Sequence, residues 1–211
     1  MKPPDRRRAL VSLLALVGAG TLPAVARAQA ALDLAQLMRL LGQVKSGEAV
    51  FTEKRTVAML ERTLESSGKL SFEAPDTFVR ETLKPRHERV AVVGNQVTMS
   101  IGSGTATRSR TVPLDSVPEA AVIMEAIRGT LTGNRAAIER NFSASVSGTV
   151  QRWELELKPN EPRLRELVIS VRLSGAQALV REVVVAMADG DRSVMTIEPV
   201  VPGARPASAA S

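Results

Sequence analysis

The chain has 211 residues and a formal net charge of +6, and five of its basic side chains against one acid lie in residues 1–28. The rest of the chain therefore carries about +2. With no tyrosine, one tryptophan and interspersed charges, it lacks the basic face and stacking aromatics of a nucleic-acid binder, so we predict no nucleic-acid partner. It has no cysteine, so we expect neither disulfides nor attachment through a lipidated N-terminal cysteine.

Residues 1–28 have the pattern of a cleavable export signal. A basic run precedes the apolar stretch 9–22, and Ala26-Arg27-Ala28 is the small-x-small triplet that signal peptidase needs. The apolar stretch is shorter than the roughly 20 residues of a membrane-spanning helix, which favours a cleaved signal over the alternative of an uncleaved anchor. We predict a mature protein that begins at Gln29, with Ala31 as the nearest alternative, and that works in the periplasm. The adjacent arginines leave both the general and the twin-arginine export routes open.

The remaining sequence predicts one domain and a tail. Residues 29–200 suffice for a single core without covalent staples. Residues 201–211 are small and proline-rich, and we expect them to be disordered.

A helix is predicted over residues 32–45, with Asp33 as its cap and Gly47 as its end. Its apolar residues have the spacing of one helical face: Leu34, Leu37, Met38, Leu41 and Val44.

Period-two alternation then predicts a series of strands. The candidate strands are residues 68–74, 77–83, 88–93, 97–101 and 104–112, the last of them polar and placed at a sheet edge. Gly94-Asn95-Gln96 is predicted to form a hairpin turn.

The period changes to that of a helix after residue 115. Ser116-Val117-Pro118-Glu119 has the form of a capping box, and the predicted apolar face comprises Val117, Ala121, Met124, Ile127 and Leu131. Asn134 is a candidate cap for a second, short helix to Asn141.

Strands are predicted again over residues 153–158, 167–173, 178–187 and 193–197, and Asp189-Gly190 is a strong hairpin signal. In the strand 167–173, the apolar positions are Leu167, Ile169, Val171 and Leu173. The total is ten or eleven short strands, with one helix in front and a helical insertion in the middle. We predict a mainly β protein with a single antiparallel, strongly curved sheet.

Residues that carry catalysis are sparse. The one histidine, His87, lies in a charged loop and is interpreted as a surface residue, which leaves no cluster for zinc. Asp189 and Asp191 are interpreted as turn residues rather than calcium ligands. No spacing singles out two of the glutamates, although a pair assembled in space stays open. We predict that the protein is not an enzyme, with no catalytic residue, metal or cofactor.

Several segments together resemble a known family. They are Ala49-Val50-Phe51-Thr52-Glu53-Lys54-Arg55, Ser67-Gly68-Lys69-Leu70-Ser71-Phe72-Glu73-Ala74-Pro75-Asp76, Phe78-Val79-Arg80, Val90-Ala91-Val92-Val93-Gly94-Asn95, Trp153-Glu154-Leu155-Glu156-Leu157-Lys158-Pro159 and Asp189-Gly190-Asp191-Arg192-Ser193. Over residues 32–198 the chain resembles the LolA-like periplasmic carriers of outer-membrane lipoproteins.

The resemblance implies an unclosed half-barrel of about 10–11 strands, whose hollow holds acyl chains beneath a helical lid. It implies a monomeric carrier of a lipid or lipidated cargo, with an inner-membrane exporter and an outer-membrane acceptor as partners. The residues expected to line the hollow are Phe51, Leu70, Phe72, Phe78, Val92, Met99, Met124, Ile127, Trp153, Leu155, Leu157 and Ile169.

Two departures indicate a divergent member. The family places a lid-closing arginine where this chain has Ala74, and the family's hollow is richer in aromatic residues. We therefore expect the cargo to be a lipoprotein or another acylated molecule, such as a glycolipid.

Two alternatives stay open. The apolar strand faces would form an ordinary closed core if the chain were not a carrier. A non-transporting module of the same fold would instead sense lipid or protein in envelope stress signalling.

Overall fold

The computed structural model describes residues 32–60, 62–102 and 104–200. The predicted export signal, the start at Gln29 and the tail 201–211 lie outside these residues. The described residues form four α-helices and eleven strands. The helices are α1 (Leu34–Leu41), α2 (Pro118–Leu131), α3 (Arg135–Asn141) and α4 (Pro162–Arg165). The strands are β1 (Ser46–Val57), β2 (Arg62–Glu73), β3 (Thr77–Lys84), β4 (Glu88–Val93), β5 (Gln96–Ile101), β6 (Arg108–Pro113), β7 (Phe142–Thr149), β8 (Arg152–Pro159), β9 (Val168–Ala176), β10 (Leu179–Met187) and β11 (Arg192–Pro199).

All eleven strands belong to one antiparallel sheet in the order β6-β5-β4-β3-β2-β1-β11-β10-β9-β8-β7. It consists of two meanders, β1–β6 and β7–β11, that meet where the first strand pairs with the last. Among the described strands β6 and β7 are the two edges, so the sheet is not closed into a barrel. The predicted single antiparallel sheet and the edge position of β6 are confirmed.

The connection between the two meanders produces the helical layer. The chain leaves β6 at one edge of the sheet and must reach β7 at the other, and α2 and α3 are the segment that makes this crossing. Because α2 buries apolar residues against both halves of the sheet, the sheet curves around it. We call the face that carries the helices the concave face.

The helix ends are set by local chemistry. Asp33 caps α1 with a full capping box that includes Gln36, and the Asn134 side chain accepts from the amide of Ala137 at the start of α3. Both predicted caps are confirmed. The predicted capping box at Ser116 is wrong: its hydroxyl donates to the Pro113 carbonyl at 2.6 Å, inside a 3-10 turn that precedes α2.

The strands differ from the predictions in several places. β1 and β7 were not among the predicted strands, and β2 begins at Arg62 rather than at residue 68. The Ser- and Gly-rich sequence of β7 alternates weakly. β6 is shorter than the predicted strand because Gly104–Ala106 forms a 3-10 turn. A bulge between Ala186 and Met187 shifts the register of β9, so Val168 takes the inward position that alternation assigned to Ile169.

The three helices over the concave face are packed on one another through glycine. A Cβ on Gly133, whose φ is +66°, would overlap the carbonyl oxygen of Met38 on α1. A Cβ on Gly129 would meet the Ile138 side chain of α3. The helices therefore form one packed layer. None of the described helices is long and apolar enough to span a membrane.

Candidate functional site

The concave face brings together most of the apolar residues that were predicted to line a hollow. Direct partners in a ladder share a face, and the pairings run from Phe72 to Phe78, to Val92 and then to Val97. A second row runs from Leu70 through Arg80 and Val90 to Met99. The alternation of the sequence thus produces one continuous surface on β2–β5.

Helix α2 lies against this surface and divides the buried apolar residues into two clusters. Val122 and Ala126 belong to a large cluster built mainly on β7–β11, α1 and α3. Met124 and Ile127 pack on a smaller cluster around Phe78, Val92, Val97 and Leu114 on the β1–β6 side. Met124 and Ile127 thus share the face of α2 that packs on this cluster, and their role in lining a hollow stays a prediction.

The two clusters differ in how tightly they are closed. In the large cluster, Trp153 is 1% exposed and Leu155 and Leu157 are 0% exposed. In the small cluster, Phe78 is 9% exposed, and the side chains that α2 presents to it are only partly buried. Trp153, Leu155 and Leu157 therefore lie in a close-packed core.

Beyond the small cluster the concave face is open to solvent. Leu70 and Val90 are half-buried, while Met99 and Ile101 are each 42% exposed. We call these four residues the exposed strip. The strip continues the small cluster along β2, β4 and β5, so a ligand of the cluster has an apolar path to solvent.

A polar cluster lies at the centre of the concave face, on β1–β3 and β11. Arg80 pairs with Glu53 at 2.5 Å, and its guanidinium carbon lies 4.8 Å from the centre of the Phe51 ring. Ser66 and Ser193 both donate to the Glu53 carboxylate. The Arg80 side chain is 35% exposed and that of Glu53 13%, so the pair is partly shielded from water and carries no net charge.

One side chain of α2 forms a hydrogen bond with the β1–β6 half of the sheet at the β4–β5 turn. Arg128 donates to the Gly94 carbonyl in the β4–β5 turn at 2.6 Å and to Glu125 on its own helix at 3.1 Å. A cavity of about 490 Å³ opens beside Arg128, and it is also lined by Pro75, Asp76 and Asn134. We call the bond from Arg128 to Gly94 the latch.

Two predicted lining residues are placed differently from the rest. Ile169 is the extra residue of the β9 bulge, is 51% exposed and does not belong to the large cluster, whereas Val168 beside it is buried there. Phe51 lies on the concave face as predicted, but it is 2% exposed and covered in part by Arg80.

Groups that carry acid–base or metal chemistry are scattered. His87 is 39% exposed at its side chain, and its ring nitrogens contact Glu81 and the Gly102 carbonyl, each at 3.0 Å. Its hydrogen bond with Glu81 raises the pKa of His87 above its usual range. Within residues 32–60, 62–102 and 104–200 no three His, Asp or Glu side chains are grouped closely enough to hold a metal ion.

Sequence reasoning did not find the polar cluster or the latch. Glu53, Arg80 and Arg128 stand among many charged residues, and no spacing relates them. A signal for Arg80 was present, because alternation places this arginine on the same face as Phe78, where an uncompensated charge would be costly.

A family model described as "Outer membrane lipoprotein carrier protein LolA-like" matches residues 26–210. No curated protein matches the chain.

Solved structures with similar coordinates share little sequence with this chain. A LolA superfamily protein from Nitrosomonas europaea is 9% identical, with a TM-score of 0.42 and coverage of 79% of this chain and 92% of that one. The MucA/MucB complex of Pseudomonas aeruginosa is 14% identical, with a TM-score of 0.41 and coverage of 83% of this chain and 59% of that one. An outer membrane lipoprotein-sorting protein domain from Vibrio parahaemolyticus is 9% identical, with a TM-score of 0.34 and coverage of 83% of this chain and 94% of that one.

Proposed function

This chain belongs to the outer membrane lipoprotein carrier protein LolA-like family, and we propose that it is a periplasmic carrier that binds the acyl chains of a lipidated cargo between α2 and β2–β5. The observation that carries the proposal is the small cluster, where α2 covers an apolar face that continues into the exposed strip. A covered apolar surface with an apolar path to solvent fits a ligand that is itself a chain of methylenes.

The difference between the clusters suggests how the site opens. The large cluster holds α1 and α3 and one side of α2 with fully buried side chains. The small cluster holds only the other side of α2, with partly buried residues. We propose that cargo separates α2 from β3–β5 while the large cluster stays intact. Phe72, Phe78, Val92, Met99, Met124 and Ile127 then line the acyl chains.

The latch is the proposed control of this movement. Ala74 stands where the family places a lid-closing arginine, and its amide is bonded to the Lys45 carbonyl. Arg128 supplies a bond of the same kind from the opposite side, because here the helix carries the guanidinium and the sheet carries the carbonyl. Opening the site breaks this bond beside a cavity in which water can replace the lost partner.

The cargo is proposed to be a lipoprotein or a glycolipid, received from an inner-membrane exporter and passed to an outer-membrane acceptor. The decisive experiment is mass spectrometry of organic extracts from protein purified out of its native periplasm. We expect acylated molecules in a stoichiometry near one, and we expect the purified apo-protein to bind a fluorescent fatty acid.

The same experiment separates the carrier from its alternative. Extracts without lipid, together with an apo-protein that binds no acyl probe, would contradict the carrier and favour an interaction module of envelope stress signalling.

A further inference from the structure

The end of the β1–β6 half opposite the latch exposes large apolar side chains. Met59, in the 3-10 turn that joins β1 to β2, is 93% exposed. Leu64, Met99 and Ile101 are each 42% exposed. Leu64 lies just after the β1–β2 connection, and Ile101 is the last residue of β5. The exposed strip therefore reaches the edge of the sheet at this end.

The same end is rich in positive charge. Five exposed basic residues lie there: Arg62, Lys84, Arg86, Arg108 and Arg110. Arg108 and Arg110 are the cross-strand partners of Ile101 and Met99. Among the described residues none of the five lies within ion-pair distance of a carboxylate, whereas the nearby Glu65 and Glu81 are engaged by Lys54 and His87. We call the five basic residues, with Met59, Leu64, Met99 and Ile101, the rim patch.

Exposed apolar side chains, among basic ones that pair with no carboxylate in the described part of the chain, match the surface of a bilayer that contains anionic lipid. The guanidinium and ammonium groups meet phosphates, while apolar side chains enter the boundary between headgroups and acyl chains. A site for nucleic acid would need stacking aromatics, and the rim patch contains none.

We propose that the rim patch docks the protein on an anionic phospholipid surface, with Met59 inserted at the tip of the β1–β2 hairpin. The exposed strip then runs from the bilayer to the small cluster, so an acyl chain passes between membrane and hollow without crossing water. The proposal rests on the proposed function for its purpose only, because docking is a property of the protein without cargo.

The test is flotation of the purified, full-length mature protein with vesicles of phosphatidylcholine alone or mixed with phosphatidylglycerol. We expect binding to the mixed vesicles, little binding to the neutral ones, and loss of binding in high salt. The variant Met59→Glu and the double variant Arg108→Glu/Arg110→Glu should each reduce the bound fraction about fivefold or more.

Matched controls carry the same chemical changes elsewhere. Ile169→Glu alters an exposed apolar residue of β9, and Arg152→Glu/Arg181→Glu reverses two exposed charges on β8 and β10. Both controls should bind vesicles as the unmutated protein does. Equal losses in controls and rim variants, equal binding to neutral vesicles, or no vesicle binding would each overturn the proposal.

Acyl-probe binding in vesicle-free buffer separates this proposal from the proposed function. We expect the rim variants to bind the fluorescent fatty acid normally. Vesicle binding without acyl binding would reject the carrier and keep the docking surface, and the converse result would reject only the docking surface.

Discussion

The guanidinium of Arg128 on α2 lies 2.6 Å from the carbonyl oxygen of Gly94 in the β4–β5 turn. It ties α2 to the half of the sheet that α2 covers least completely. The side chain is 22% exposed, so the bond is partly shielded from competing water. Its strength therefore bears directly on how easily α2 separates from β3–β5.

Replacement of Arg128 by methionine should accelerate acyl-chain uptake. The change keeps the apolar stem and removes the latch, and a charged hydrogen bond of this kind contributes about 1–2 kcal/mol, which corresponds to about a fivefold or greater change in rate. Stopped-flow fluorescence with a fatty-acid probe measures it. Arg135→Met, which removes an exposed arginine paired with Glu139 in α3, is the control and should leave the rate unchanged. Equal rates in both variants would show that Arg128 is no latch.

Core and site residues should respond differently to a polar replacement. Leu155→Gln places an amide at a fully buried position and should lower the free energy of unfolding by about 3 kcal/mol or more. Met99→Gln changes a 42% exposed residue, so it should alter stability by about 0.5 kcal/mol at most while it weakens probe binding several-fold. Thermal melts measure the stability of both variants, and titrations with the fluorescent fatty acid measure their affinity for the probe. A stable Leu155→Gln protein with weakened binding would instead place the hollow beneath the large cluster.

Acid should loosen the connection between the β1–β2 hairpin and the β10–β11 turn. Asp191 accepts hydrogen bonds from Arg55 and from the Ala58 amide, and these hold its pKa below its usual range. A lowered pKa in the folded state means that the contribution to stability is present above the unfolded pKa of about 3.9. That contribution is lost as the pH falls through the folded value. We expect the melting temperature of Asp191→Asn to fall less steeply than that of the unmutated protein below about pH 4; parallel curves would contradict this.

The contributions of Glu53 and Arg80 to the free energy of unfolding should depend on each other. Arg80→Met leaves the Glu53 carboxylate, 13% exposed, without its cation, and should cost about 1–3 kcal/mol of unfolding free energy. Glu53→Gln in the same chain should restore part of that loss, because the neutral amide needs no cation. Its oxygen can accept from one of Ser66 and Ser193 while its NH2 group donates to the hydroxyl of the other. A double-mutant cycle by chemical denaturation measures the coupling. Strictly additive losses would mean that the two side chains do not stabilise each other.

Two glycine-to-alanine changes compare a position without room for a Cβ atom with a position that has room for one. Gly133 has φ +66°, and an added Cβ would overlap the Met38 carbonyl, so Gly133→Ala should separate α1 from α2 and cost about 2 kcal/mol or more. A Cβ on Gly47 meets nothing within 4 Å, so Gly47→Ala should change stability by about 0.5 kcal/mol at most. Urea denaturation measures both. Equal stabilities would show that the helical layer is not held by this contact.

The sequence by itself determined much of the local structure. Alternation located nine of the eleven strands, since a half-buried strand must expose every second side chain. Asn134 and Asp33 marked helix starts because their side chains accept amide protons that the helix leaves unpaired. The placement of Met124 and Ile127 on one face of α2 also followed from their spacing along the helix.

Only the tertiary structure decided which of these faces meet and how tightly. Alternation defines two faces of a strand but does not say which one a distant helix will cover, so Leu155 and Met99 looked equivalent until one proved 0% and the other 42% exposed. The bulge that turns Ile169 outward depends on pairing between β9 and β10. The Arg80–Glu53 and Arg128–Gly94 contacts join residues 27 and 34 positions apart. Long-range pairs of charged groups leave no periodic trace in a sequence, because their meeting depends on the curvature of the whole sheet.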